Sequence, residues 1–266
     1  MLGRPYNKGT GMGHVANLRA FKRLLTKIGY TRRPMCLRRV AVCVSVWSVC
    51  VLLAGSAIAG SLPAIVAGPD NAVPACVQPA RLMQFVEERN SARHPAPTVD
   101  PRFADIASTY QRLGSCVARA PEKCVGVRWD YAFFQMLIET NYLTFLRPNG
   151  VPASVVPRDN NFAGVGAAIS GKPGERFKDV TTGVLAHLQH VLMYSTTWVP
   201  EPVANRTRQV QHDVQEVMRR LKRPVTFSDL ARQWTGSDKN GYATTMQRIA
   251  DKYESRFCGP QNVANR

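Results

Sequence analysis

The sequence predicts a mainly α-helical fold for this 266-residue chain. Several stretches carry apolar residues three and four positions apart, which is the spacing of one helix face. Residues 129–145 are apolar nearly all round, as expected for a helix buried in a core. Segments rich in Pro and Gly separate these stretches and indicate where the helices end.

Residues 1–59 have the composition of a targeting segment. Arginines precede an uncharged apolar run over residues 40–59, which ends in the small-residue pattern Ala57-Ile58-Ala59. This order predicts a secretory signal that is cleaved near residue 59. Because such a run is also long enough to cross a bilayer, an uncleaved membrane anchor is the alternative. Both predict that the remainder is exported, to the periplasm or the cell exterior, and that only this segment contacts a membrane.

The net charge of +17 is concentrated near the N-terminus. Residues 1–69 hold ten of the 35 basic residues and no acidic residue. The exported part has a smaller basic excess, without aromatic residues clustered beside the charge. Nucleic acid is therefore not expected as a partner.

Residues 60–100 are predicted to hold a linker and a leading helix. Residues 60–75 are rich in Ala, Gly and Pro, which favours a flexible linker. A helix is expected over residues 79–90, with Leu82, Phe85 and Val86 on one side. The predicted main domain follows over residues 101–260, and its first helix is expected over residues 105–117.

Glu139 is the candidate catalytic residue because it lies within the predicted buried helix, between Gln135 and Leu143. A carboxylate removed from water is costly unless it is paired. We therefore expect the pKa of Glu139 to be raised and its proton to be kept near neutral pH. A carboxylic acid in that state can serve as a general acid. The alternative is a structural Glu that pairs with an Arg or caps a neighbouring helix.

Further helices are expected over residues 177–194, within 199–225, and over 227–234 and 241–253. The helix within residues 199–225 carries a basic face, which is usually a solvated face. His187 and His190 lie three residues apart on the predicted helix 177–194. We expect them to have structural or hydrogen-bonding roles.

Four cysteines lie outside the targeting segment: Cys76, Cys116, Cys124 and Cys258. An even number in an exported domain predicts two disulfides, for which three pairings exist. We predict a local Cys116–Cys124 loop and a Cys76–Cys258 bridge between the two ends of the domain. The histidines lack zinc spacing with these cysteines, and the G-x-G at residues 164–166 lacks the third glycine of a dinucleotide site. No metal or other cofactor is expected.

Two motifs carry a resemblance to a known family. The first is Gln135-Met136 followed by Glu139-Thr140, and the second is N-N-F-A-G-V-G-A at residues 160–167. The chain thereby resembles the glucosaminidase domain of bacterial peptidoglycan hydrolases, a branch of the lysozyme superfamily. The run G-V-L-A-H-L-Q-H at residues 183–190 is also similar to that family. The resemblance covers residues 105–257 and implies a lysozyme-like helical domain with a substrate cleft and a short loop region that could be β.

The resemblance implies hydrolysis of the β-1,4 bond between N-acetylglucosamine and N-acetylmuramic acid in peptidoglycan glycan strands, with Glu139 as general acid. Most glycosidases use a second carboxylate. Glu175 is our choice, since it follows a shortened hairpin region where the family often places its second acid. Asp159 and Asp179 are the other candidates. Without a second carboxylate, the N-acetyl group of the substrate could act as nucleophile.

The same resemblance suggests substrate-binding residues. Asn160 and Asn161 could offer amide contacts to N-acetyl and hydroxyl groups, and Phe162 could lie against a sugar face. Gly164 has no side chain, so backbone can come close to a ligand there. Tyr242 is similar in position to a family tyrosine that lines the cleft opposite the acid.

Two alternative functions remain open from the sequence. A muramidase or lytic transglycosylase of the same superfamily would use one Glu in a similar helix and cut the other glycosidic bond. A non-catalytic cell-wall-binding protein would keep the cleft without activity.

Overall fold

The fold is mainly helical, as the sequence predicts. The computed structural model describes residues 62–67, 71–115, 125–147, 149–167, 173–236 and 241–259. The helices are α1 (Pro79–Ser91), α2 (Ile106–Gly114), α3 (Trp129–Glu139), α4 (Val180–Tyr194), α5 (Asn205–Arg219), α6 (Phe227–Trp234) and α7 (Tyr242–Phe257). Two 3₁₀ turns span Pro101–Phe103 and Pro157–Asp159. These ranges contain no strand, only the isolated bridges Ala64–Thr226, Val66–Val127 and Leu146–Pro152.

Helix α3 lies at the centre of the packing. Its residues 129–137 are all buried, because it has almost no polar face. It contacts α2, α4 and α7, while α1 packs on α2 and α7. Helix α5 contacts α4 and buries one side that includes Val214, Met218 and polar residues, and α6 lies against α7. The central apolar helix therefore positions the site at its end.

The disulfide Cys76–Cys258 joins the segment before α1 to the residue after α7. This confirms the predicted bridge between the two ends of the domain. The Tyr253 hydroxyl also donates a hydrogen bond to the Cys76 carbonyl, at 3.1 Å. The predicted Cys116–Cys124 pair and the targeting segment 1–59 lie outside the described residues, as does most of the shortened hairpin region.

The flexible linker predicted over residues 60–75 is wrong for residues 62–67. Leu62 and Ile65 are buried in the core. The Ile65 amide donates to the Val225 carbonyl at 2.9 Å, and the Arg128 amide donates to the Ile65 carbonyl at 2.8 Å. This segment thus forms hydrogen bonds with the residue before α3 and with a residue just before α6. Its two large apolar side chains are buried in the core.

Every helix within the described ranges is too short or too polar to cross a bilayer.

Candidate active site

Helix α3 ends at Glu139, six residues before the predicted end. The backbone at Asn141, Tyr142 and Leu143 turns into the left-handed region, with φ values of 49°, 61° and 64°. The Thr140 hydroxyl stops the helix, since it donates to the Met136 carbonyl at 2.8 Å and accepts from the Leu143 amide at 2.9 Å. Glu139 is therefore the last residue of α3 and not its middle.

Side chains from α1 hold this unusual loop in place. Left-handed backbone costs a non-glycine residue about 1–2 kcal/mol, so neighbouring contacts must support it. The Asn90 amide donates to the Tyr142 carbonyl at 2.9 Å. Arg93 donates to Asn141 Oδ1 at 2.8 Å, and the Asn141 amide donates to the Leu146 carbonyl at 2.8 Å. The loop after Glu139 is thus fixed by polar contacts.

Glu139 lies where three distant segments of the chain meet. Tyr242, the first residue of α7, donates a hydrogen bond to Glu139 Oε1 at 2.5 Å. The indole of Trp234, the last residue of α6, also lies near the carboxylate and lowers its pKa. A Cβ at Gly164 would lie 3.7 Å from Glu139 Oε2, so the glycine leaves this side open to approach. The structure therefore brings Glu139, Gly164 and Tyr242 together.

Burial raises the pKa of Glu139 to about 7, while the hydrogen bonds from Tyr242 and Trp234 oppose this shift. No cation forms an ion pair with Glu139 within the described residues. Neutral donors recover only part of the hydration energy that the carboxylate loses. The direction of the pKa shift is the predicted one, and the acid keeps its proton up to about neutral pH.

A buried polar layer lies behind this site. His187 Nε2 lies 3.3 Å from Gln135 Oε1, and His187 Nδ1 lies 2.7 Å from the Tyr110 hydroxyl. Burial, followed by repulsion from His190, lowers the pKa of His187 to about 3. The neutral ring therefore donates to Gln135 and accepts from Tyr110. His190 Nδ1 lies 2.8 Å from the Thr207 hydroxyl. Both histidines have the predicted hydrogen-bonding roles.

Asn160, Asn161 and Phe162 contact other residues of the chain. All three are buried. The Asn161 amide donates to the carbonyls of Val165 and Glu175, each at 2.9 Å, and its Oδ1 accepts from the Val165 amide. Asn160 donates to the Phe177 carbonyl at 3.0 Å and accepts from Arg102 at 3.4 Å.

The structure therefore gives these three residues internal partners, while substrate contacts by them stay predictions. The two amides hold the loop, and Phe162 packs edge-on against Phe103, with centroids 5.3 Å apart. The reason is close packing by α4, where a Cβ at Gly183 would lie 1.8 Å from the Asn160 carbonyl oxygen. Gly164, the last of the predicted contacts in this motif, is the residue beside Glu139.

Glu175 caps a helix, and within the described residues no contact joins its side chain to Glu139. Its Oε2 accepts from the Asn205 amide at 2.8 Å, and its Oε1 accepts from the Arg206 amide at 2.6 Å. These amides begin α5, where a carboxylate is favoured by the positive end of the helix. Glu175 therefore caps α5, and its assignment as second acid stays a prediction, since the paired carboxylates of glycosidases need not touch each other.

The other two candidates for a second acid are also engaged elsewhere. Asp159 Oδ1 lies 2.8 Å from Arg176 Nε, and Asp159 Oδ2 accepts from the Val156 amide at 3.1 Å. Asp179 caps α4 by accepting from the Thr182 amide at 2.7 Å. Hydrogen bonds from Thr182 lower the pKa of Asp179. All three candidate carboxylates thus have structural partners.

Trp234 was missed by the sequence prediction. Its indole contacts the rings of His190 and Tyr194, with centroids 5.4 and 6.0 Å away. It occupies the last position of a short amphipathic helix. At this position the neighbouring sequence does not distinguish a tryptophan that packs in the core from one that contacts a candidate catalytic acid. Only the packing of α6 against α7 brings it to Glu139.

Comparison with known proteins finds a relative that matches only part of this chain. No protein-family model matches the chain, and no solved structure matches it. Over 71 residues the chain is 38% identical to a protein of Borreliella burgdorferi that is described as uncharacterized. The match covers 27% of this chain and spans about a third, 32%, of the relative.

Proposed function

We propose that this protein is a peptidoglycan glycosidase that cleaves the β-1,4 bond between N-acetylglucosamine and N-acetylmuramic acid, with Glu139 as its general acid. One observation carries the proposal. Glu139, with a pKa raised to about 7, meets Gly164 and Tyr242, and these three residues come from three of the four segments that resemble the glucosaminidase family. A protonated carboxyl group in a partly enclosed site is what departure of a glycosidic oxygen requires.

The geometry suggests which oxygen of Glu139 holds the proton. Oε1 accepts the hydrogen bond from Tyr242. Oε2 lies on the side of Gly164, where no side chain blocks approach. The proton on Oε2 would pass to the leaving glycosidic oxygen as the C–O bond breaks. The resulting carboxylate would be stabilised by the donors Tyr242 and Trp234.

The identity of the second catalytic group distinguishes two related candidate functions. Glu175, Asp159 and Asp179 are engaged in capping or pairing. This supports a mechanism in which the N-acetyl group of the substrate acts as nucleophile. The same observation favours a second candidate, a muramidase or lytic transglycosylase of this superfamily, which would need only one Glu. Either substrate lies outside the cytoplasm and agrees with the predicted export.

The test is digestion of purified peptidoglycan by the wild-type protein and by Glu139→Gln, with mass analysis of the new reducing ends. Reducing-end N-acetylglucosamine, absent with the variant, is the expected result. Muramic acid or its anhydro form would instead identify the second candidate. A folded wild-type protein that binds peptidoglycan and releases no product would overturn both and leave a cell-wall-binding protein.

A further inference from the structure

A basic pocket of about 290 Å³ lies beside the candidate active site. Thr245, Arg248 and Lys252 of α7 line it, and these three residues share one side of that helix after Tyr242. Asn141 and Tyr142 of the loop after Glu139 line the opposite wall. With a rise of 1.5 Å per residue, Arg248 lies about 9 Å and Lys252 about 15 Å from Tyr242 along the helix axis. The pocket is thus within reach of a ligand held at Glu139.

The lining carries positive charge without compensation. Arg89, Arg248 and Lys252 line the pocket, and no acidic side chain does. Arg93 stands next to it, bonded to Asn141. Within the described residues none of these four cations forms an ion pair, whereas Arg256, near the end of the same helix α7, pairs with Glu88 at 3.1 Å. The four come from α1, the segment after it, and α7, so their convergence results from the tertiary fold.

Two of the cations are held in place before any ligand arrives. The guanidinium groups of Arg89 and Arg93 lie 5.5 and 5.8 Å from the centroid of the Tyr142 ring. Contact with an aromatic face restricts both side chains. Burial, followed by repulsion from Arg89, lowers the pKa of Arg93. A bound anion would relieve this repulsion.

We propose that this pocket binds the carboxylates of the acidic peptide stem that peptidoglycan carries next to the bond to be cut. The inference rests on the proposed function, because that function places a glycan strand at Glu139. Guanidinium groups match carboxylates in shape and charge. The stem is the anionic part of the substrate nearest to the scissile bond. The pocket would therefore select strands that carry stems over bare glycan.

The test measures binding and cleavage separately in three full-length proteins: wild type, Arg248→Ala/Lys252→Ala, and Arg112→Ala/Lys178→Ala. The last pair is the matched control, because it removes the same charge from exposed residues that do not line the pocket. The binding probe is a soluble muramyl peptide with free carboxylates, compared with the same compound after amidation of those carboxylates. Calorimetry at low and high salt gives each Kd.

The pocket variant is expected to bind the acidic probe roughly two- to thirtyfold more weakly than wild type and the control, which corresponds to the loss of two exposed charge contacts. Added salt should weaken the wild-type Kd, and amidation should remove the difference between the proteins. In cleavage assays only the wild type and the control should prefer glycan with stems to glycan from which an amidase has removed them.

Equal Kd values for acidic and amidated probes, or equal Kd values for all three proteins, would overturn the anion pocket even if glycan is cleaved. Selective binding of the acidic probe with no cleavage by any protein would uphold the pocket and overturn the proposed glycosidase. The two proposals can thus fail independently.

Discussion

Asp229 lies at the start of α6, and Glu139 lies beside Trp234 at its end. The partners of these two carboxylates differ in charge. Asp229, in the first turn, forms ion pairs with Arg223 at 2.7 Å and with Arg232, and it accepts from the Thr226 amide at 2.9 Å. Glu139 meets Trp234 at the last residue of the helix and Tyr242 beyond it, which are neutral donors. Among the described residues, Asp229 has cationic partners and Glu139 has none.

This difference sets their pKa values in opposite directions. Burial opposes the charge of Asp229, but hydrogen bonds from Arg223 and Thr226 outweigh it and lower the pKa to about 2. Burial dominates at Glu139 and raises the pKa to about 7. Removal from water therefore does not decide whether a carboxylate stays charged, since the charge of its partners does. Asp229 is suited to stability, and Glu139 is suited to donating a proton.

The largest expected effect is on catalysis at Glu139. Replacing it by Gln removes the transferable proton and should lower the rate of glycan cleavage by about 10²–10⁴-fold. The rate is measured by release of reducing ends at pH 6, with circular dichroism to show that the variant is folded. Glu175→Gln is the matched control, because it should weaken a helix cap and leave cleavage per folded molecule unchanged. Equal losses in the two variants would contradict the assignment.

The next effect is on stability at Asp229. Asp229→Ala leaves Arg223 and Arg232 without their partner and removes the Asp229 half of the α6 capping box, so the free energy of unfolding should fall by about 2–4 kcal/mol at pH 7. The lowered pKa contributes stability above the unfolded value near 3.9, and this is lost as pH falls toward 2. Urea unfolding at pH 7 and pH 3 should show a smaller difference at pH 3. A difference independent of pH would contradict the role of the ion pairs.

The stability effect at Glu139 should have the opposite sign. Its raised pKa means that the folded protein holds a proton that the unfolded chain loses above about pH 4.5, so stability falls between pH 4.5 and pH 7. Glu139→Gln removes this penalty and should raise the free energy of unfolding by about 1–3 kcal/mol at pH 8, with little change at pH 4.5. Urea unfolding at these two pH values measures it. A variant less stable than wild type at pH 8 would show that Glu139 is a paired, structural residue.

A smaller effect tests the open side of the acid. Gly164→Ala and Gly150→Ala place a side chain on left-handed backbone, with φ values of 60° and 80°, and each should lose about 1 kcal/mol of stability. Only residue 164 faces Glu139, whereas a Cβ at residue 150 meets nothing within 4 Å. Cleavage per folded molecule should therefore fall only in Gly164→Ala. Equal activity in both variants would argue against substrate approach along Gly164.

The smallest effect concerns the neutral donor. The hydrogen bond from Tyr242 lowers the pKa of Glu139, so Tyr242→Phe should raise that pKa further. The descending limb of the pH–rate profile, where Glu139 loses its proton, should move to higher pH. The profile is measured from pH 5 to pH 9. A shift to lower pH would mean that Tyr242 acts on the protonated form of the acid.

Periodicity in the sequence predicts the helices well where their ends are set locally. Helix α6 has the predicted bounds, because the Thr226 side chain and Asp229 form a capping box within four residues. The end of α3 was missed, since its left-handed loop is supported by Asn90 of α1 and by Arg93, which follows α1. Residues 62–67 were mistaken for linker because their partners near Val225 and Arg128 are far along the chain.

The sequence by itself determined the helical class and the carboxyl group whose pKa would be raised. These follow from composition, spacing and the cost of an apolar neighbourhood, which are visible in short stretches. Only the tertiary structure decided which neighbours each polar group meets. It placed Tyr242 and Trp234 on Glu139, while it directed Asn160, Asn161 and Glu175 into internal bonds. Hydrogen-bond partners distant in sequence are set by how helices pack, and that packing depends on the whole core.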